Sequence, residues 1–288
     1  MNLNHRPIAT VLVLLAPFLV VSCNGGSDEG VEPTTFHQTP FRASNFVDPR
    51  AGSNPWLPLK PGTQWVREGT TLIGNREVPQ QLIITVTDVI RVIEGVKTVL
   101  AYDLSIGAGQ VVQRTIDYFA QDKEGNIWLM GSVTEQYEAG RFVDVDEAWL
   151  AGVDGAKPGI LMPANPTTET TPWVIARPPE EDGDAAQVER MQREQCVPFD
   201  CFQNVLVIRE GKRTALDNEF KYYAFGVGQI RNEPRSESRH EDIEWLINIT
   251  TLTPKGLAEA SAEALEIDRT AAEDAPEVFG SVRATRAP

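Results

Sequence analysis

Between Gln64 and Thr251 the chain is a succession of short runs in which apolar and polar residues alternate, and this period of two restricts it to β-structure. The runs cover 64–70, 81–91, 97–106, 110–121, 126–133, 134–145, 174–177, 186–196, 203–210, 219–225, 228–233 and 242–251. Successive side chains of a strand point to opposite faces, so residues two apart share a face. Leu82, Ile84 and Val86 read as one face, opposite Thr85 and Thr87. Ile243, Trp245, Ile247 and Ile249 read likewise against Glu244, Asn248 and Thr250. Gly, Asp, Asn and Pro punctuate the runs, and Glu94-Gly95, Asp122 to Asn126 and Ala139-Gly140 are hairpin reversals. No helical pattern lies between the runs, which disfavours parallel βαβ units, and no fixed-period repeat is present. The expectation is an all-β fold: one antiparallel curled sheet, barrel-like or a sandwich.

The remaining segments set the domain layout. Residues 149–166 carry Gly152, Gly155 and Gly159 among Trp149, Ile160, Leu161 and Met162, which predicts an irregular loop packed on the sheet and closing one barrel end. Pro178 to Asp184 is an exposed acidic turn. After Pro254, 256–272 is rich in Ala and Glu and predicts a short surface helix, with 273–288 a frayed tail. The layout is a signal segment over 1–22, a flexible linker over 23–53, a β domain over 54–253 and a helical or disordered tail over 254–288.

Compartment is read at the N-terminus. Arg6 precedes an apolar run from Ile8 to Val21 that is too short for a comfortable membrane span, and Pro17 weakens it as a helix. The run ends in Val20-Val21-Ser22-Cys23, which resembles the lipobox of bacterial lipoproteins, where a small residue precedes the modified cysteine. The resemblance implies signal cleavage and a diacylglyceryl group on Cys23, usually with a further acyl chain such as palmitate. More than one chain makes anchoring to the membrane stable. Asn24 rather than Asp follows the cysteine, which favours the periplasmic face of the outer membrane in a Gram-negative envelope. The Gly/Ser/Asp-rich stretch from Gly25 to Gly30 begins a linker that lets the body stand about 30 Å from the bilayer. With Cys23 lipidated, Cys196 and Cys201 remain as an even pair outside the cytoplasm, which predicts a disulfide. For so short a loop the entropic model gives about 2 kcal/mol. The formal net charge of −15 is repelled by nucleic acid, so no nucleic-acid partner is expected.

Sequence patterns for catalysis are missing. There is no Gly-x-Ser-x-Gly elbow. His37 lies in the linker and His240 in a charged turn, so a Ser-His-Asp triad would have to recruit His240. No His-Glu-x-x-His motif occurs, and the spacing of Cys196 and Cys201 is half a zinc site without its other half. Asp122, Glu124 and Asn126 present oxygens at alternate positions, as calcium loops do, yet the rest of an EF-hand is lacking and a hairpin turn is the stronger reading. Glu180, Glu181, Asp182 and Asp184 read as a solvated acidic run. Gly107-Ala108-Gly109 and Gly226-Val227-Gly228 lack the third glycine and the helix of a nucleotide cradle. The Asn248-Ile249-Thr250 sequon lies inside a strand run. Among the aromatic residues Trp65, Tyr102, Tyr118, Phe119, Trp128, Tyr137, Trp149, Trp173, Tyr222, Tyr223 and Trp245, most are expected in the core and some along a cavity for an apolar or sugar ligand. No cofactor is implied.

Four stretches stand in a recognisable order: Pro61-Gly62-Thr63-x-Trp65-Val66-x-Glu68-Gly69-Thr70; Ala120-Gln121-Asp122-x-x-Gly125-Asn126-Ile127-Trp128; Trp149-x-x-Gly152-x-Asp154-Gly155-Ala156-x-Pro158-Gly159-Ile160; and Lys221-Tyr222-Tyr223-Ala224-x-Gly226-Val227-Gly228. Over roughly Asn54 to Thr253 the chain resembles an uncharacterised family of secreted bacterial β-rich proteins. The resemblance implies one extracytoplasmic domain and supplies no catalytic residues. The leading functional expectation is a non-catalytic binding or structural module for a hydrophobic ligand or an envelope partner. A hydrolase using dispersed carboxylates is the alternative, and a calcium-stabilised module a third.

Overall fold

The computed structural model describes residues 35–73, 76–179, 183–213, 219–235 and 242–287. Within them one antiparallel sheet runs through the molecule. Its strands are β1 (Phe46–Val47), β2 (Thr63–Ile73), β3 (Arg76–Ile93), β4 (Val96–Gly107), β5 (Gln110–Asp122), β6 (Ile127–Glu138), β7 (Arg141–Leu150), β8 (Lys157–Met162), β9 (Trp173–Arg177), β10 (Asp184–Cys196), β11 (Cys201–Lys212), β12 (Glu219–Ala224), β13 (Gly228–Pro234), β14 (Ile243–Thr251) and β15 (Thr285–Arg286). Two helices, α1 (Pro254–Asp274) and α2 (Pro276–Phe279), precede β15.

The sheet closes on itself. Strand order runs β5-β4-β3-β2-β14-β13-β12-β11-β10-β9-β8-β6, and β6 returns to β5, which makes a twelve-stranded antiparallel barrel. β6 can do this because it divides one edge. Its first residues, Ile127 to Leu129, pair with β8, and Gly131 to Glu138 pair with β7, which leaves the barrel wall as a flap. Tight turns join most neighbours. At Glu94-Gly95, Ala108-Gly109 and Ala139-Gly140 both central residues have positive φ, the geometry whose twist matches that of paired strands. Gly107-Ala108-Gly109 is therefore part of a hairpin. The first and last strands of the barrel wall meet where Thr63 to Thr70 pair with Thr251 to Ile243 along the β2–β14 seam. At Gly69 a Cβ would collide with the Ile243 carbonyl, so the seam needs glycine there.

Bulges decide which residues face inward. On β14 the register slips between Leu246 and Asn248. Arg67 and Trp65 of β2 line the lumen and pair with Leu246 and Ile249 respectively. Glu244, Leu246 and Ile249 are thus on the inner side, and the apolar quartet Ile243, Trp245, Ile247 and Ile249 does not share one face as the alternation predicts. On β3 the expectation holds, and Leu82, Ile84 and Val86 face inward. Past a slip between Val86 and Ile90, Arg91 faces outward beneath α1.

Three segments differ from the expected layout. The stretch 149–166 is not one irregular loop. It comprises the end of β7, a turn in which Gly152 N donates to Ala156 O (3.0 Å), strand β8, and a segment leading toward β9. β8 is a strand because Gly159 lacks the Cβ that would strike the Val174 and Ile175 carbonyls of β9. Residues 35–53, expected in the linker, pack on the barrel. His37 N donates to Pro172 O (2.7 Å), Val174 N donates to His37 O (3.1 Å), and Phe41 and Phe46 pack edge-on to Trp128 at 6.2 and 5.4 Å. Three aromatic rings supply the apolar area that the glycine-rich part of the linker lacks. At the other end α1 is a 21-residue helix, begun by the Thr253 side chain accepting from Gly256 N and by Pro254 in the first turn. Its buried face carries Ser261, Ala264, Ile267, Asp268, Ala271 and Ala272, small enough to lie close on β3 to β5. The expected frayed tail is instead α2 and β15, held by the buried Phe279 and by the pairing of Thr285 with Ile90.

A buried ion pair fastens this helix. Arg91 of β3 bonds Asp268 of α1 through Nη1 and donates to Phe279 O from Nη2 (3.0 Å). Asp268 also accepts from the Tyr118 hydroxyl (2.8 Å) and from Ala284 N (3.1 Å). Its two oxygens are therefore satisfied by three donors, the condition under which a buried carboxylate is tolerated. Asp268→Ala leaves Arg91 charged, buried and unpaired. It is expected to cost about 3–5 kcal/mol, read by chemical denaturation, and to make 254–287 the first site of limited proteolysis.

Candidate functional site

Twelve strands leave a lumen that their side chains do not fill. A cavity of about 660 Å³ lies inside the barrel. One part of its wall is apolar, formed by Leu57, Leu59, Trp65, Leu82, Ile84, Val86, Ala101, Phe119, Leu129, Leu161 and Ile175. Another part is charged, with eight carboxylates and three basic side chains.

The apolar region is closed by the segment from Asn54 to Leu59, which Asn54 shapes. Its carboxamide oxygen accepts from Trp56 N (2.9 Å) and Leu57 N (3.0 Å). Its nitrogen donates to Gly125 O (2.9 Å) on the β5–β6 turn and to Pro163 O (3.2 Å) after β8. Leu57 and Leu59 thereby enter the lumen. Trp65 is held by its own indole N–H, which donates to Val227 O (2.7 Å) in the β12–β13 turn.

The charged region is a pair of ion networks. Lys221 of β12 binds Glu210 of β11 (2.6 Å) and Glu219 (2.9 Å). The residues are placed by register, because Glu210 sits opposite Glu219, and Lys221 opposite Ile208 and Asn232. Arg67 of β2 binds Glu244 of β14 (3.2 Å), which also accepts from Gln80 of β3 (3.2 Å). Burial opposes the Lys221 charge, but Glu210 and Glu219 hold its pKa well above the usual lysine range. Glu219 loses charge stability to burial and regains more from Lys221, so its pKa falls. Burial prevails over Lys221 at Glu210 and over Arg67 at Glu244, and both are raised.

Asp103 and Asp117 form the third feature. They lie on β4 and β5, where Asp103 faces Thr115 and Asp117 faces Ala101, so the two are diagonal neighbours on the inner face. Burial, reinforced by Asp117, pushes Asp103 well above the usual carboxylate range. Burial also pushes Asp117 up to about 6, against a hydrogen bond from Ser132 and with repulsion from Glu147. Among the described residues, Asp103 Oδ1, Glu210 Oε1, Asn232 Oδ1 and Arg67 Nε have no hydrogen-bond partner.

The residues singled out from sequence are mostly elsewhere. Cys23 and His240 lie outside the described residues, as do Glu180, Glu181 and Asp182. Cys196 and Cys201 form a disulfide across the β10–β11 hairpin. Asp122 is occupied by its own turn: its oxygens accept from Asn126 N (2.8 Å), Asn126 Nδ2 (2.8 Å) and the Trp128 indole (2.8 Å). Asn126 Oδ1 in turn accepts from Ala164 N (2.8 Å), and Glu124 is exposed. Among the described residues no three His, Cys, Asp or Glu side chains are grouped to hold a metal ion. Of the aromatic residues, Trp65, Phe119 and Tyr223 line the lumen. The charged lining was not among the residues singled out from sequence. Its signal was present in Glu219-x-Lys221-x-Tyr223 and Trp65-x-Arg67, where charge and aromatic share one strand face.

The class defined is an all-β barrel with an amphipathic lumen. No family model matches the chain, and no curated protein matches it. The motif resemblance therefore stands on its residues alone. Among solved structures the chain is similar to a protein of Parabacteroides distasonis described as a candidate lipoprotein, at 12% identity and a TM-score of 0.33, over 68% of this chain and 99% of that one. A likeness at that score carries no argument about function.

Asp117 holds its proton more tightly in the barrel than in the unfolded chain. It therefore favours the folded state at low pH, and that contribution is lost as pH rises from 3.8 to about 6. Across that window the melting temperature of the native protein is expected to fall relative to that of Asp117→Asn, which keeps the shape and removes the titration. Parallel curves for the two proteins would contradict the assignment.

Proposed function

We propose that the chain is a lipid-anchored envelope protein whose barrel holds an apolar or amphipathic small molecule without transforming it. The lumen carries this reading. A cavity of about 660 Å³ falls within the range of roughly 300–1,000 Å³ typical of small-molecule sites, and its walls combine apolar side chains with a few placed polar groups. The lipobox Val20 to Cys23 supports the anchor, with the periplasmic face of the outer membrane as the favoured location. Anchoring and cavity together suit a protein that keeps or hands over a poorly soluble molecule beside a membrane.

Two measurements test it. Native mass spectrometry of the protein purified from its host envelope is expected to show a retained non-protein mass that Ile84→Trp loses, because the added indole fills the lumen. A variant still loaded would place the ligand elsewhere. Cys23→Ser is expected to shift the protein from the membrane to the soluble fraction with its fold intact, and its retention in the membrane would overturn the anchor.

A second reading, an acid/base hydrolase, has one observation in its favour: Asp103 and Asp117 share a cavity and both hold protons above the usual carboxylate range. It requires products released from an envelope fraction by the native protein and not by Asp117→Asn. Intact substrates with both proteins would dismiss it.

A further inference from the structure

We propose that the barrel rim closed by residues 54–59 rests on the bilayer that carries the anchor, with Phe225 as the side chain that enters the lipid. The proposal rests on the lipid anchor of the proposed function and adds which face of the barrel the membrane meets.

Hydrogen bonds between turns define this rim. Asn54 ties the β5–β6 turn to the segment after β8, and Gly226 N of the β12–β13 turn donates to Pro55 O (2.7 Å). The segment after β8 runs on to Pro172, where His37 is bound. The described chain begins two residues earlier, at Thr35, so it departs toward Cys23 from this rim. Twelve peptide units separate Cys23 from Thr35 and span at most about 40 Å. The opposite rim holds the β6–β7 turn. β6 has 12 residues, and at the tilt of barrel strands it sets the rims roughly 30 Å apart. Seating the far rim on the bilayer would draw most of the tether out along the barrel wall. Seating the near rim needs no such extension.

The near rim also offers an aromatic ring to the lipid. Phe225 is 67% exposed, the most of any large apolar side chain among the described residues. Its turn is fixed by Val227 N donating to Ala224 O (3.1 Å), and its ring stands edge-on to the buried Trp56 at 5.3 Å. A ring held in this way loses little freedom on entering lipid. Val47 is exposed at the same rim, where it pairs with Gln121. Ile73, Phe142 and Val143 are exposed toward the opposite rim, but the tether does not start there. Because the anchor makes docking intramolecular, a small apolar contact is enough. The apolar part of the lumen then lies next to the bilayer. Trp65, Phe119 and Leu129 line it near this rim, whereas Asp184, Lys212 and Glu219 line it at the other.

Quenching by nitroxide-bearing lipid reads the contact. The mature full-length protein, acylated at Cys23, is reconstituted in phosphatidylcholine vesicles. A nitrobenzoxadiazole probe is placed on Lys60→Cys at the near rim or on Glu138→Cys at the far rim, both exposed positions. Cys196 and Cys201 are paired and do not take the label. Lipid with a nitroxide on its acyl chain is expected to quench the Lys60→Cys probe several-fold more than the Glu138→Cys probe. Phe225→Ser is expected to remove most of that difference with the melting curve unchanged, and Phe225→Trp, which keeps an aromatic ring, to retain it. Equal quenching of the two probes, stronger quenching at Glu138→Cys, or a difference that survives Phe225→Ser overturns the docking and leaves the anchor standing. A native protein that does not float with the vesicles overturns both.

Discussion

The width of a barrel is set by its strand number, and twelve strands enclose more space than inward side chains can fill. At about eight strands facing side chains meet and make a core, whereas here they leave a cavity. That one constraint explains why the inner face carries charge. In a dry, filled core an ionised side chain would need complete pairing. Along a cavity wall it needs only a partner on a neighbouring strand and access to whatever occupies the space. The barrel therefore places Arg67, Lys221 and their carboxylates on the same side of the sheet as Trp65, Phe119 and Leu82.

The outer wall solves a different problem. Where α1 lies on β3 to β5, the wall is a true core: Arg91 and Tyr118 point outward from the barrel yet are buried, and Asp268 satisfies both. Where no helix covers it, the wall carries charge pairs and cation–aromatic contacts, such as Arg190 and Arg231 over Tyr222. One strand can thus face a cavity on one side and a packed helix on the other, as β5 does with Asp117 inside and Tyr118 outside.

The all-β class, the hairpin turns and the disulfide were legible because each depends on residues near in sequence. Glu94-Gly95 and Ala139-Gly140 turn as read, and Cys196 pairs with Cys201 five positions away. The sense of the faces was less legible. A single bulge at residues 246–248 divides Ile243, Trp245, Ile247 and Ile249, and no local rule places that bulge. The charged lining was hidden for a related reason. Glu210 and Lys221 meet across neighbouring strands β11 and β12, but Arg67 and Glu244 meet only at the β2–β14 seam, so closure is needed to assemble the lining. Residues 149–166 misled because glycine, which usually marks irregular backbone, here serves a close strand approach at Gly159.

The seam between β2 and β14 has a consequence for how the chain reaches this state. All but two of the pairings around the barrel join strands adjacent in sequence, and these hairpins can form as soon as each is available. β6 with β8 spans a short gap, but β2 waits for residues 243–251. Until they arrive β2 is an open edge, a template for pairing with another chain. The ring therefore shuts from its far end, and only a chain complete through Thr251 can shut it. A protein built this way has no partly emerged form that resembles its finished one, and its unpaired edge is most exposed while the chain is still being delivered.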